Sequence, residues 1–155
     1  MTTAPHAIEY PVIGISRPLP EKRYVFVGRT YYELREVPLH SYIRGMTRDQ
    51  VFVSADGKVY KVIHANLSGL DWVRISEVGY VTSLIASIFS LFNIPILIDF
   101  ELVEAGDISL DEIKEEIRMA FCDFPKAYFR FKDERAVRRR VDHAKSFLAI
   151  ADAIS

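Results

Sequence analysis

Residues 78–98 form a run of 21 without one charged side chain, and Pro95 stands near its end. A run of that length meets the criterion for a helix that crosses a bilayer. Pro95 argues against that reading, because proline inside a helix costs about 3 kcal/mol and biases the residue before it toward extended backbone. A helix entered near Gly79 therefore ends close to Asn93, after about 14 residues and roughly 21 Å, too short to span. Ser83, Ser87 and Ser90 fall at i, i+4 and i+7, opposite Leu84, Ile85, Ile88, Phe89 and Phe92. That spacing gives one thin small-polar stripe and a broad apolar face. The run predicts a buried helix over 79–92 and an interior strand from Pro95, in one water-soluble body without membrane contact. A small-residue stripe also lets a second helix approach closely, so a homodimer seam through Ser83, Ser87 and Ser90 is a secondary expectation.

The chain of 155 residues suits one core, and its 50% apolar and 26% charged composition is that of an ordinary globular domain. A formal net charge of −1 provides no global field to gather polyanions. With Cys122 as the single cysteine, an intramolecular disulfide and any zinc site built on two thiolates are excluded by counting. Residues 1–15 lack a basic segment followed by an apolar run, so a secretory leader is not expected and a cytoplasmic location fits best.

Four prolines (Pro5, Pro11, Pro18 and Pro20) mark residues 1–22 as an extended arm, with residues 8–15 able to add an edge strand to the domain at 23–155. Residues 23–27 read as a strand, and 30–37 as another, although its T-x-x-E start is also a helix signal. Residues 51–54 and 59–63 flank Asp56-Gly57, a hairpin turn. Further strands are expected at 70–75, 95–103 and 127–131. Ser109 through Glu112 is a capping box that opens a helix with Leu110, Ile113, Ile117, Ala120 and Phe121 on its buried face. A last helix from Asp133 or Glu134 to about 153 carries Val137, Val141, Ala144, Leu148 and Ala151 as a stripe. Together these predict an α+β fold: an antiparallel or mixed sheet of about five strands against a buried helix and two C-terminal amphipathic helices.

Catalytic signatures are missing. There is no G-x-G-x-x-G, no Walker A loop and no G-x-S-x-G elbow, since Gly14-Ile15-Ser16-Arg17-Pro18 lacks the second glycine. His6, His40, His64 and His143 are too scattered to place two nitrogens on one metal, so neither metal nor cofactor is expected. Cys122, beside Phe121 at a helix end, reads as a buried inert thiol.

Charge carries more information than motif. Residues 99–116 hold eight acids against Lys114, a balance of −7, whereas residues 118–145 hold nine bases against four acids, a balance of +5. The bland reading is that the two segments neutralise one another across solvent-exposed helix edges. The sharper one is a non-enzymatic protein-interaction module of inhibitor, immunity or adaptor type. It would meet a basic partner through Glu101, Glu104, Asp107, Asp111, Glu112, Glu115 and Glu116. A second reading gives residues 126–145 to nucleic acid, through Tyr128, Arg130, Arg135, Arg138, Arg139 and Arg140. The third is a hydrolase site assembled around His40, His64 and Glu101.

Overall fold

The Asp56-Gly57 pair makes the turn its chemistry demands. Gly57 takes φ +85°, its N–H donates to Ser54 O at 2.9 Å, and Ser54 N–H donates to Lys58 O at 3.0 Å. The Ser54 hydroxyl donates to the Asp56 carboxylate, and that bond is the main cause holding Asp56 below its ordinary pKa of 3.8. In this computed structural model, residues 2–3, 7–19, 21–38, 41–42, 45–47, 49–68 and 95–155 are described.

Among the described residues seven strands form one sheet: β1 (Thr2–Thr3), β2 (Val12–Leu19), β3 (Lys22–Gly28), β4 (Glu36–Pro38), β5 (Val51–Val53), β6 (Lys58–Leu67) and β7 (Pro95–Asp107). Their order is β1-β7-β6-β5-β2-β3, with β4 also paired to β7, and each printed pairing is antiparallel. The helices are α1 (Tyr31–Arg35), α2 (Leu110–Asp123), α3 (Pro125–Phe129), α4 (Glu134–His143) and α5 (Phe147–Ile154). The fold is α+β, and the short β1 and β4 raise the strand number above the expected five. The expected strand at 70–75 and helix at 79–92, with Ser83, Ser87 and Ser90, lie outside the described residues.

Side chains on a strand alternate between faces, and the core divides accordingly. On one face Ile13, Ile15, Val25 and Val53 pack with Ile113, Ile117, Phe121, Val137, Val141 and Ile150. On the other, Val12, Phe52, Tyr60, Ile98, Phe100 and Leu102 gather with Ile8 and Leu34. Helices α2 to α5 therefore cover the β5-β2-β3 half of the first face. Strand β7 enters at Pro95 as expected and is interior, with β6 on one side and β4 and β1 on the other.

Four expectations change. The arm at 1–22 gives way at Val12, because β2 pairs with β5 and β3 and buries Val12, Ile13 and Ile15 on alternate faces. Proline is tolerated there because Pro11 precedes the strand and Pro18 falls where its register shifts. The strand expected at 30–37 is α1 followed by β4. Thr30 Oγ1 accepts from Glu33 N at 3.2 Å and the Glu33 carboxylate accepts from Arg29 N at 2.7 Å, so local capping overrides β propensity.

The strand expected at 127–131 is instead α3, opened by Pro125 in its first turn. Helical geometry lets the neighbours Tyr128 and Phe129 both reach Phe121, with ring centroids 4.9 Å away in each case. Phe131 is left 89% exposed. The last helix is two helices: Ala144 turns extended at ψ 133°, and Ser146 starts α5 by accepting from Ala149 N at 3.1 Å. The break resets the helical phase, so Ile150, Ala151 and Ala153 are buried and Leu148 is exposed.

Helix α2 starts on its capping box, with Ser109 Oγ accepting from Glu112 N at 3.2 Å and Glu112 Oε2 accepting from Ser109 N at 2.8 Å. The Ser109 hydroxyl holds Glu112 below its ordinary 4.5. Depressed carboxyl pKa values stabilise the fold above the unfolded-state values, and that contribution is lost as pH falls through the folded-state ones. Urea midpoints should stay level down to about pH 4.5 and then fall. The double variant Asp56→Asn/Glu112→Gln should be less stable at neutral pH and show a shallower fall, whereas an unchanged slope would remove these two groups from the acid response.

Candidate functional site

Among the described residues the helical layer covers little of β6 and none of β7. Val59 is the last β6 residue packed against it, and beyond Val59 no described helix packs on the same face of β6 and β7. The register pairs Lys61 with Val103, His64 with Glu101 and Asn66 with Asp99. A bulge between Val62 and His64 sets Ile63 and His64 together opposite Glu101. Next along, Leu97 lies across from Glu36 of β4. Ile63 is 45% and Leu97 46% exposed, two large apolar side chains on one face.

Carboxylates alternate with them. Glu101 and Glu36 are exposed and in no ion pair among the described residues. Asp99 meets Arg35 at 2.6 Å, and that guanidinium also donates to Ile98 O and Ser68 Oγ at 3.1 and 2.8 Å, fixing the end of the face. Lys61 and His64 supply the bases. The Asn66–Asp99 row lies between Ile63 and Leu97, so the face interleaves two exposed apolar side chains with carboxylates, and His64 and Glu101 are both exposed. His40 and His6 lie outside the described residues.

The seven acids expected to act together are dispersed. Strand alternation turns Glu104 to the face opposite Glu101, where it stands 3.7 Å from Lys58. Asp107 ends β7 and Asp111 begins α2, both exposed. Glu112 caps its own helix, Glu115 pairs with Arg118 at 2.9 Å, and Glu116 is 2.7 Å from Arg23 on β3. Among the described residues, neutralisation between the acidic and basic segments reduces to that Glu115–Arg118 pair; Arg118 also meets Asp142 of its own segment at 2.9 Å, and Lys114 Nζ donates to the main-chain Asp142 O at 3.0 Å.

The basic segment is partly occupied with holding the fold. Tyr128 OH accepts from Val25 N at 2.6 Å and donates to Val25 O at 2.9 Å, closing the edge of β3 as a neighbouring strand would. Burial pushes its phenol well above the ordinary 10.0. Arg138 pairs with Glu134 at 2.8 Å and lies 5.5 and 5.4 Å from the Phe121 and Phe129 ring centroids. Of the six residues read toward nucleic acid, Arg130, Arg135, Arg139 and Arg140 remain exposed. Cys122 is also exposed, contrary to the buried thiol expected, because it falls one residue past Phe121 on the outer side of α2. Tyr128→Phe should cost about 1–3 kcal/mol, since both Val25 groups lose their partner. Urea unfolding measures this, and a change below about 0.5 kcal/mol would show the bonds to be incidental.

Among the described residues, no helix is long and apolar enough to cross a membrane, and no group of three or more His, Cys, Asp or Glu is placed to hold a metal ion. No family model, curated protein or solved structure matches this chain.

Proposed function

We propose that this chain is a protein-interaction module whose contact surface is the open face of β6 and β7. Its partner presents a basic surface with apolar side chains set among the cations. One observation carries the reading: on the part of the sheet that α2 to α5 leave, Ile63 and Leu97 stay nearly half exposed, interleaved with Glu36, Asp99 and Glu101. Exposed apolar groups set among charges are what protein contact sites present, and the negative sign of Glu36 and Glu101, which enter no ion pair among the described residues, speeds encounter with cations and disfavours acidic competitors. The contact is thus smaller than the full set from Glu101 to Glu116 and includes Glu36 and Asp99. An inhibitor, immunity or adaptor role fits a surface that binds without reacting.

A photo-crosslinking residue at position 97 tests this in extract of the protein's own cell. A discrete adduct should form there, disappear with Glu101→Lys, and be absent with the crosslinker at position 139. No adduct at 97, or the same adduct at 139, would sink the proposal.

A further inference from the structure

Among the described residues strand β3 is an outer strand, paired in the sheet order only with β2, and its other edge is closed at two points. Tyr128 occupies both main-chain groups of Val25, and the Glu33 carboxylate accepts the N–H of Arg29 at 2.7 Å. Main-chain groups alternate sides along a strand, so Val27, two residues from each closure, turns its N–H and C=O to that same edge. Neither has a partner among the described residues. A cavity of about 520 Å³ opens against this stretch, lined also by Arg130, Phe131 and Lys132.

We propose that this groove takes an extended, acidic peptide segment by strand addition at Val27, a site separate from the β6–β7 face. The closures stand about 13 Å apart at the rise of a strand, room for three extended residues. The middle one exchanges two hydrogen bonds with Val27, the pattern by which a bound peptide extends a sheet. Its side chain shares the face of Val27, which packs toward the helices, and meets the cations there. Charge selects that side chain. Arg29 is paired with Asp152 at 3.0 Å and Lys132 donates to Ser155 O. The Arg130 guanidinium, 5.2 Å from the Phe131 ring centroid, has no carboxylate among the described residues. A carboxylate there gains a charge-assisted bond, and exposed Phe131 offers a flank for an apolar neighbour.

Amide NMR of the whole chain, titrated with the blocked peptide acetyl-TVEVT-amide, tests the site. The Val27 amide should move downfield and exchange more slowly. The same peptide N-methylated at its glutamate, the lysine peptide acetyl-TVKVT-amide, and Arg130→Glu protein with the original peptide should each bind at least tenfold more weakly. A Val27 amide unchanged at millimolar peptide, or equal affinity for the N-methylated peptide, overturns the proposal. So does oligothymidylate that shifts Arg130 and Phe131 where the peptide does not, which assigns the wall to nucleic acid.

Discussion

Phe121→Ala should lower stability by roughly 3–5 kcal/mol, a fall in Tm of about 10 °C for a chain of this size. Phe121 is 1% exposed and joins three elements: its own helix α2, α3 through Tyr128 and Phe129, and α4 through Arg138. Truncation opens a cavity that those rings fill only in part. It also removes a π-face from under a guanidinium and loosens Tyr128, whose hydroxyl closes the edge of β3. Phe131→Ala is the matched control, since an 89% exposed ring should change stability by no more than about 0.5 kcal/mol. Thermal and urea unfolding of the two variants check the pair. Equal effects would mean that the segment after Pro125 is not the helix described.

Ile63→Lys combined with Glu101→Lys should weaken binding to the partner recovered at position 97 by at least about a hundredfold, the scale on which buried apolar anchors and charge complementarity act. Tm should change little, because both side chains are exposed and Glu101 enters no ion pair among the described residues. Titration calorimetry and thermal unfolding separate the two effects. Full affinity in the double variant would move the contact elsewhere, and joint loss of affinity and stability would make the face structural.

The elements legible in the sequence are those with a local cause. Asp56-Gly57 makes its turn and Ser109 with Glu112 caps its helix, because each set of residues satisfies backbone groups within four positions. Pro95 opens a strand, as its effect on the preceding backbone implies. Elements governed by competition were harder to read. Thr30 with Glu33 sets helix capping against the β propensity of Tyr31, Tyr32 and Val37, and the cap prevails only for residues 31–35. In residues 127–131 alternation suggested a strand, but Pro125 and the reach of two adjacent rings to Phe121 favour a turn of helix.

The candidate face was visible only in fragments. Acidity placed Glu101 within it, whereas Ile63, Leu97 and Glu36 share a face through strand register and through described helices that reach β6 no further than Val59. No local pattern encodes either. Glu104, three positions from Glu101, was grouped with it by charge and parted from it by the two-residue period of the strand. Tyr128 looked like a stacking platform and serves as an edge closure, which depends on α3 lying beside β3.

Thiol labelling at position 97 tests the central claim most directly. In a Leu97→Cys/Cys122→Ser protein, a maleimide should react at nearly the rate of a free peptide thiol, and the partner should slow it at least tenfold while leaving an Arg139→Cys control unaffected. Protection of position 97 in the isolated chain would mean that the face is already covered, and an unchanged rate with partner bound would mean that binding occurs elsewhere.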